Sequence, residues 1–170
     1  MLNKAQKIKF LILLLLAFAS VSCRDSRQSS STIPKAKNKR PSAKAQKVIS
    51  AARSYIGTRY KYGGETRTGM DCSGLMLTVF KSVNINLPRT SAKQSVFGKK
   101  VSLKELKCGD LVFFTDKKGH KKVTHVGIIS QKEAGSIKFI HASTKSGVVE
   151  SDLYAPYYIS IFLFGGRVLN

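Results

Sequence analysis

The run Asp71-Cys72-Ser73-Gly74-Leu75-Met76-Leu77-Thr78-Val79-Phe80 decides how the rest of the chain is read. Leu75, Val79 and Val83 recur at helical spacing beside Met76 and Phe80, which predicts an amphipathic helix. Asp71 is a good N-cap for it, because its carboxylate can accept from the unpaired N–H groups of the first turn. Cys72 is then the first helical residue, where those N–H groups and the positive end of the helix dipole favour an anion. A free thiol has a pKa of about 8.5, and helix N-termini lower it. The sequence therefore puts a cysteine where a thiolate would be stabilised. The plain alternative is a small apolar residue packed in a first turn, unless the rest of the chain supplies a base.

Working outward, Ala45, Val48, Ile49, Ala52, Tyr55 and Ile56 fall on one helical face upstream, with Ser42 as a start and Gly57 as a C-terminal cap. Thr58 to Gly64 reads as a tight loop leading into the Cys72 helix. Downstream, Asn84 to Pro88 ends that helix, since Asn tolerates the left-handed conformation and Pro resists continuation. Thr90 or Ser91 caps a short helix through Val96. After Gly109-Asp110 the chain turns strand-like: Leu111 to Phe114, Val123 to Ile129, Ile137 to His141, Gly147 to Glu150 and Ile159 to Phe164. Helices first and strands afterwards predict an α+β domain with a mostly antiparallel sheet of five to six strands.

The N-terminal segment reads as an address. Lys4, Lys7 and Lys9 precede the apolar stretch Phe10 to Phe18, and small residues lead to Cys23. That is the pattern of a secretory signal peptide over 1–22, too short to span a bilayer as a mature helix. Small residues running into a cysteine resemble the lipobox of bacterial lipoproteins, with Ser20 where Leu is usual, so Cys23 is the expected lipidation site. Acyl chains would then tether the protein to a membrane. Residues 23–43 continue as a Ser-, Lys- and Pro-rich tether, which cannot bury a core. Residues 44–170 are the expected folded domain.

A formal charge of +21 invites a nucleic-acid reading. The export signal and the scattering of lysines through loops and linker argue against it. Anionic partners outside the inner membrane suit the charge better, and so does a merely solvated surface. Of the three cysteines, Cys108 reads as a small filler at a loop-to-strand junction. A Cys72–Cys108 disulfide would silence the thiol of interest.

A thiol becomes a nucleophilic catalyst when a histidine can take its proton and a third group orients that histidine. His120 lies in the charged loop Lys117-Lys118-Gly119-His120-Lys121 and reads as solvated. His125 and His141 each lie in an apolar strand. The midpoint between them is Glu133, inside the polar turn Gln131 to Ser136. An antiparallel hairpin folded there sets the two rings opposite one another, roughly 5 Å apart at Cβ. A one-residue slip would send them to opposite faces. His125 is thus the expected base for Cys72, and His141 the residue that holds its imidazole. One Cys and two His also form a zinc set in kind, but no close-spaced ligand pair is present.

These segments together resemble the NlpC-type cell-wall cysteine peptidases. They are Tyr60-Lys61-Tyr62-Gly63-Gly64, Asp71-Cys72-Ser73-Gly74-Leu75, Leu87-Pro88-Arg89-Thr90-Ser91 with Gln94, Gly109-Asp110-Leu111-Val112-Phe113-Phe114, His125-Val126-Gly127-Ile128 and Ile140-His141-Ala142, in the family's order. The resemblance implies a papain-like α+β fold with a Cys72-His125-His141 triad. It also implies hydrolysis of the bond between γ-D-glutamate and a diamino acid in peptidoglycan stem peptides. By the same likeness, Tyr60 and backbone N–H groups near Cys72 hold the oxyanion, while Asp71 and Ser73 contact the stem peptide. No cofactor or metal is implied. The expectation is a monomeric, membrane-anchored lipoprotein of the cell envelope. Rival readings are an amidase or acyltransferase on the same fold, and a non-catalytic basic wall-binding lipoprotein.

Overall fold

Ser42 opens the first element: its hydroxyl accepts from Ala45 N at 3.3 Å and starts helix α1, Ala43–Arg53. The computed structural model describes residues 40–169. The expected signal peptide, Cys23 and all but the last residues of the tether lie outside them. Helix α1 is shorter than its apolar pattern suggests. After Arg53 the chain enters turns, Ile56 stays 48% exposed, and Gly57 adopts φ +91 beyond the helix end.

A two-residue hairpin, β1 Glu65–Thr66 and β2 Gly69–Met70, leads into α2, Cys72–Lys81. Leu75, Met76, Val79 and Phe80 of α2 are fully buried, as their spacing predicts. Gly74 lets this helix pack on the preceding loop, because a Cβ there would run into the carbonyl of Gly64. Asn84 takes the left-handed conformation after the helix, with φ 59. Thr90 then caps the short helix α3, Ser91–Gln94, accepting from Lys93 N.

The remaining strands are β3 Lys99–Val101, β4 Leu111–Phe114, β5 His125–Glu133, β6 Ser136–Ser143, β7 Gly147–Asp152 and β8 Phe162–Arg167. They form one antiparallel six-stranded sheet in the order β3-β8-β4-β5-β6-β7. The fold is α+β, as the order of helices and strands predicts. Its sheet has two buried faces. Leu111, Phe113, Val126, Ile128, Ile140 and Ala142 pack with α1 and α2. Val112, Phe114, Ile129, Ile137 and Phe139 form a second cluster with Leu153, Ile161 and Tyr158.

Two expectations need correction here. The apolar run Ile159 to Phe164 is not one strand. Pro156 starts a short helix α4, Pro156–Ile161, and only from Phe162 does the chain become extended. Proline at the first helical position has its φ preset for a helix, and Tyr157 and Ile159 face solvent rather than the sheet. The second correction is β3, which carries Lys99 and Lys100 on an exposed edge and gave no alternating apolar signal.

Candidate active site

Cys72 sits at the N-terminus of α2 and is 8% exposed. Its thiol accepts from the backbone N–H of Val126, the residue after His125, which brings the helix start to the beginning of β5. Burial pushes the thiol above its ordinary pKa, and the neighbouring Asp71 carboxylate pushes the same way. The N–H groups of Val126, Ser73 and Cys72 itself offset this only in part. Burial and Asp71 thus work against the stabilisation that the helix start offers a thiolate.

The two strand histidines do meet. His125 Nε2 lies 2.8 Å from His141 Nδ1, and the rings stand edge to face at 88°. They are not directly opposed, however. The hairpin turns at Ala134-Gly135, and Glu133 pairs with Ser136, Lys132 with Ile137 and Gln131 with Lys138. Ser130 is then left over, and Ile129 pairs with Phe139 and Ile128 with Ile140. This β-bulge decides the site. Without the extra residue the ladder would set His141 opposite Ile128, and His125, three residues away, would face the other side. With it, Gly127 falls opposite His141, so His125 lies diagonally across on the same face. Gly127 also clears the way, since a Cβ there would come 2.7 Å from the Phe139 ring and 3.2 Å from His141 Cβ.

His141 is 2% exposed and stacked on Phe139, with centroids 4.7 Å apart at 22°. Burial lowers the pKa of His125 to about 4, and burial together with the neighbouring His125 lowers that of His141 to about 3. Both imidazoles are neutral near pH 7. A neutral imidazole can serve as a base that takes a thiol proton.

Asp71 does more than cap. Its carboxylate takes five donors: Gly74 N at 2.7 Å, Gly63 N at 2.8 Å, Ser73 Oγ at 3.1 Å, and Arg89 Nη1 and Nη2 at 3.0 and 2.6 Å. Burial works to raise its pKa, but the Arg89 bond and the two backbone N–H groups hold it below the usual carboxylate range. Arg89 also donates to Ser73 Oγ at 3.0 Å and pairs through Nε with Glu65 at 2.7 Å. Burial holds the Tyr60 phenol above its ordinary value, followed by Cys72 and Asp71, so Tyr60 shares their electrostatic neighbourhood.

Of the six expected site residues of the folded domain, Asp71, Ser73 and Tyr60 lie about Cys72, His125 and His141 touch one another, and the Val126 N–H links the thiol to the start of β5. Cys108 is a separate free thiol whose pKa is raised by burial. His120 is exposed and bonded to Asp116. Among the described residues no group of three His, Cys, Asp or Glu side chains could hold a metal ion, and no helix is long and apolar enough to cross a membrane. Sequence reasoning gave no role to Arg89, Glu65, Ser151 or Tyr158. Arg89 lies within Leu87-Pro88-Arg89-Thr90-Ser91, but its partners come from other elements.

A family model described as the NlpC/P60 family matches residues 57–167. The chain is 40% identical over 123 residues to a Haemophilus influenzae protein named "Probable endopeptidase NlpC homolog", covering 72% of this chain and 62% of that protein. It is 36% identical over 125 residues to the Escherichia coli "Murein DD-endopeptidase MepS/Murein LD-carboxypeptidase", covering 73% and 63%. A Bacillus subtilis "Gamma-D-glutamyl-L-lysine dipeptidyl-peptidase" is 36% identical over 103 residues, covering 61% of this chain and 33% of that one. The chain thus spans less than two thirds of the length of these relatives. Among solved structures, an NlpC/P60 family protein from Bacillus cereus superposes with a TM-score of 0.66 at 32% identity, covering 74% of this chain and 40% of that one.

Proposed function

This chain belongs to the NlpC/P60 family, and on that premise we propose that it is a cysteine endopeptidase of peptidoglycan. Its substrate in this reading is a wall stem peptide, cut at the bond between γ-D-glutamate and a diamino acid. The observation that carries the reading is the 2.8 Å contact between His125 and His141 beside a thiol held on Val126 N–H. A binding module has no use for that constellation.

With Nε2 of His125 committed to His141, Nδ1 is the nitrogen left to serve Cys72. The thiol proton passes to Nδ1 as Sγ attacks the carbonyl carbon of the scissile bond. The oxyanion is held by backbone N–H groups near Cys72 and the Tyr60 hydroxyl. Collapse expels the diamino acid's amine, which takes the proton from Nδ1 and leaves a thioester on Cys72. Water, deprotonated by the same Nδ1, then attacks the thioester carbon, and the C–S bond breaks as Sγ takes that proton back, freeing the acyl product. Asp71 holds the start of α2 and, with Ser73, borders the acyl side of the cut. The same reading makes residues 1–22 a signal peptide, Cys23 a lipid anchor on a tether, and the protein a monomer of the cell envelope.

The names of relatives favour the γ-D-glutamyl bond in one case and DD-endopeptidase or LD-carboxypeptidase cuts in another. Mass spectrometry of defined muropeptides, treated with wild type and Cys72→Ala, tests the whole reading. A γ-glutamyl cut releases a fragment beginning with the diamino acid, whereas an amidase frees the entire stem peptide. Cleavage that persists in folded Cys72→Ala sinks the assignment.

A further inference from the structure

The outer nitrogen of His141 is where the site carries something unassigned. Its Nε2 lies 3.0 Å from Ser151 Oγ and 3.2 Å from Tyr158 Oη. Ser151 comes from β7, where it pairs with Phe139 while His141 pairs with Val149. It is therefore a diagonal neighbour of His141 on the same face, as His125 is from the other side. Tyr158 comes from α4 and packs edge-on against Phe139, with centroids 4.9 Å apart. Four groups from three strands and a helix thus form one connected cluster centred on His141.

A neutral imidazole carries one ring proton, and its position on His141 sets that of His125. If His141 holds its proton on Nδ1, it donates to Nε2 of His125. The His125 proton is then on Nδ1, and that nitrogen cannot accept one from Cys72. If His141 holds its proton on Nε2, its Nδ1 accepts, His125 donates from Nε2, and His125 Nδ1 is bare. Only the second arrangement makes a base.

Two hydroxyls converge on His141 Nε2 and form no hydrogen bond with one another among the described contacts. A bare ring nitrogen has a single in-plane lone pair, which serves one donor well. One N–H can be shared by two acceptors. Ser151 and Tyr158 are both half-buried and can turn their own protons outward. The pattern fits an N–H with two acceptors.

We propose that Ser151 and Tyr158 are positioning residues that keep the His141 proton on Nε2 and so keep Nδ1 of His125 free for the thiol. This rests on Cys72 and His125 acting as nucleophile and base, and it places the orienting function beyond the triad itself. When His125 becomes an imidazolium, the same two acceptors keep His141 Nδ1 available as its partner.

The test uses a Ser151→Ala/Tyr158→Phe double variant, which removes both hydroxyls and keeps the aromatic ring. Nitrogen-15 NMR of the histidines at pH 7 reads the tautomers without any substrate. Wild type is expected to carry Nε2–H on both His141 and His125, and the double variant to populate Nδ1–H forms. Where muropeptides are cut, kcat falls by roughly 10-fold or more with KM unchanged, and Ser151→Thr retains activity. An Nδ1–H His141 in wild type overturns the proposal. So does a double variant with unchanged tautomers. Tyr158→Phe alone, which preserves packing, gives the same reading if the double variant fails to fold. Muropeptides left intact by wild type would refute the proposed function, and the NMR result would still decide the tautomer.

Discussion

Arg89 grips Asp71 through both terminal nitrogens, Nη1 to Oδ1 at 3.0 Å and Nη2 to Oδ2 at 2.6 Å. This joins the loop after α2 to the residue that caps its start. Arg89→Ala leaves Asp71 buried with only Gly63, Gly74 and Ser73 as donors. The expected cost is about 1–3 kcal/mol at pH 7, since a buried carboxylate loses its cation. The Asp71 pKa is depressed in the fold, so the stabilisation is present above about 4 and lost as pH falls through the folded value. Urea unfolding of both proteins at pH 7 and pH 3 checks this. The difference should shrink in acid; a constant gap would contradict the ion pair as its cause.

The neutral histidines make the fold acid-sensitive in a defined window. Each has a folded pKa below the unfolded value near 6.5, at about 4 for His125 and about 3 for His141. The unfolded chain therefore binds protons that the folded chain refuses. Stability is full above about pH 6.5 and falls from there down to about 4 and 3, by up to about 1.4 kcal/mol per pH unit for each ring. A His125→Gln/His141→Gln variant should show a flatter dependence of melting temperature between pH 6.5 and 4. An unchanged slope would mean the rings are not buried neutral.

The helix start at Cys72 was legible because capping is local: Asp71, the first-turn N–H groups and the apolar spacing all lie within a dozen residues. The histidine pair was legible in kind but not in register. No residue in Gln131 to Ser136 announces that Ser130 will be left unpaired, and the bulge depends on how two whole strands settle. Tyr158 was hidden for another reason. Ile159 to Phe164 is apolar enough for a strand, and the effect of Pro156 on the residues before Phe162 outweighs that run. Glu65 and Arg89 meet only because β1 and the segment after α2 converge in space.

Ser130 itself offers a sharp substitution. Its hydroxyl is buried and has no hydrogen-bond partner among the described residues. Ser130→Ala should be neutral or stabilising by up to about 1 kcal/mol, because an unsatisfied buried hydroxyl is removed. Deleting Ser130 instead should abolish activity, with loss of the His125–His141 contact visible by NMR. A deletion variant that folds and keeps that contact would show that the bulge does not set the register.

Gly127→Ala tests the crossing of the two strands. Its Cβ would press on the Phe139 ring and on His141 Cβ. Overpacking of this kind costs about 1–3 kcal/mol. Activity should fall further than stability, because His141 is one of the groups displaced. Crystal structures and kcat for the variant check it, and an unmoved His141 would argue against the crowding.

The placement of the bulge has a practical corollary. Ser130 sits between the histidine end of the hairpin and its tip, where Gly135 takes φ +80 in open surroundings. Loop closure depends only weakly on length, at about 0.6 kcal/mol per doubling. A peptide or fluorophore grafted between Ala134 and Gly135 lengthens a loop the histidines do not sense. That tip is a natural place to attach a reporter group.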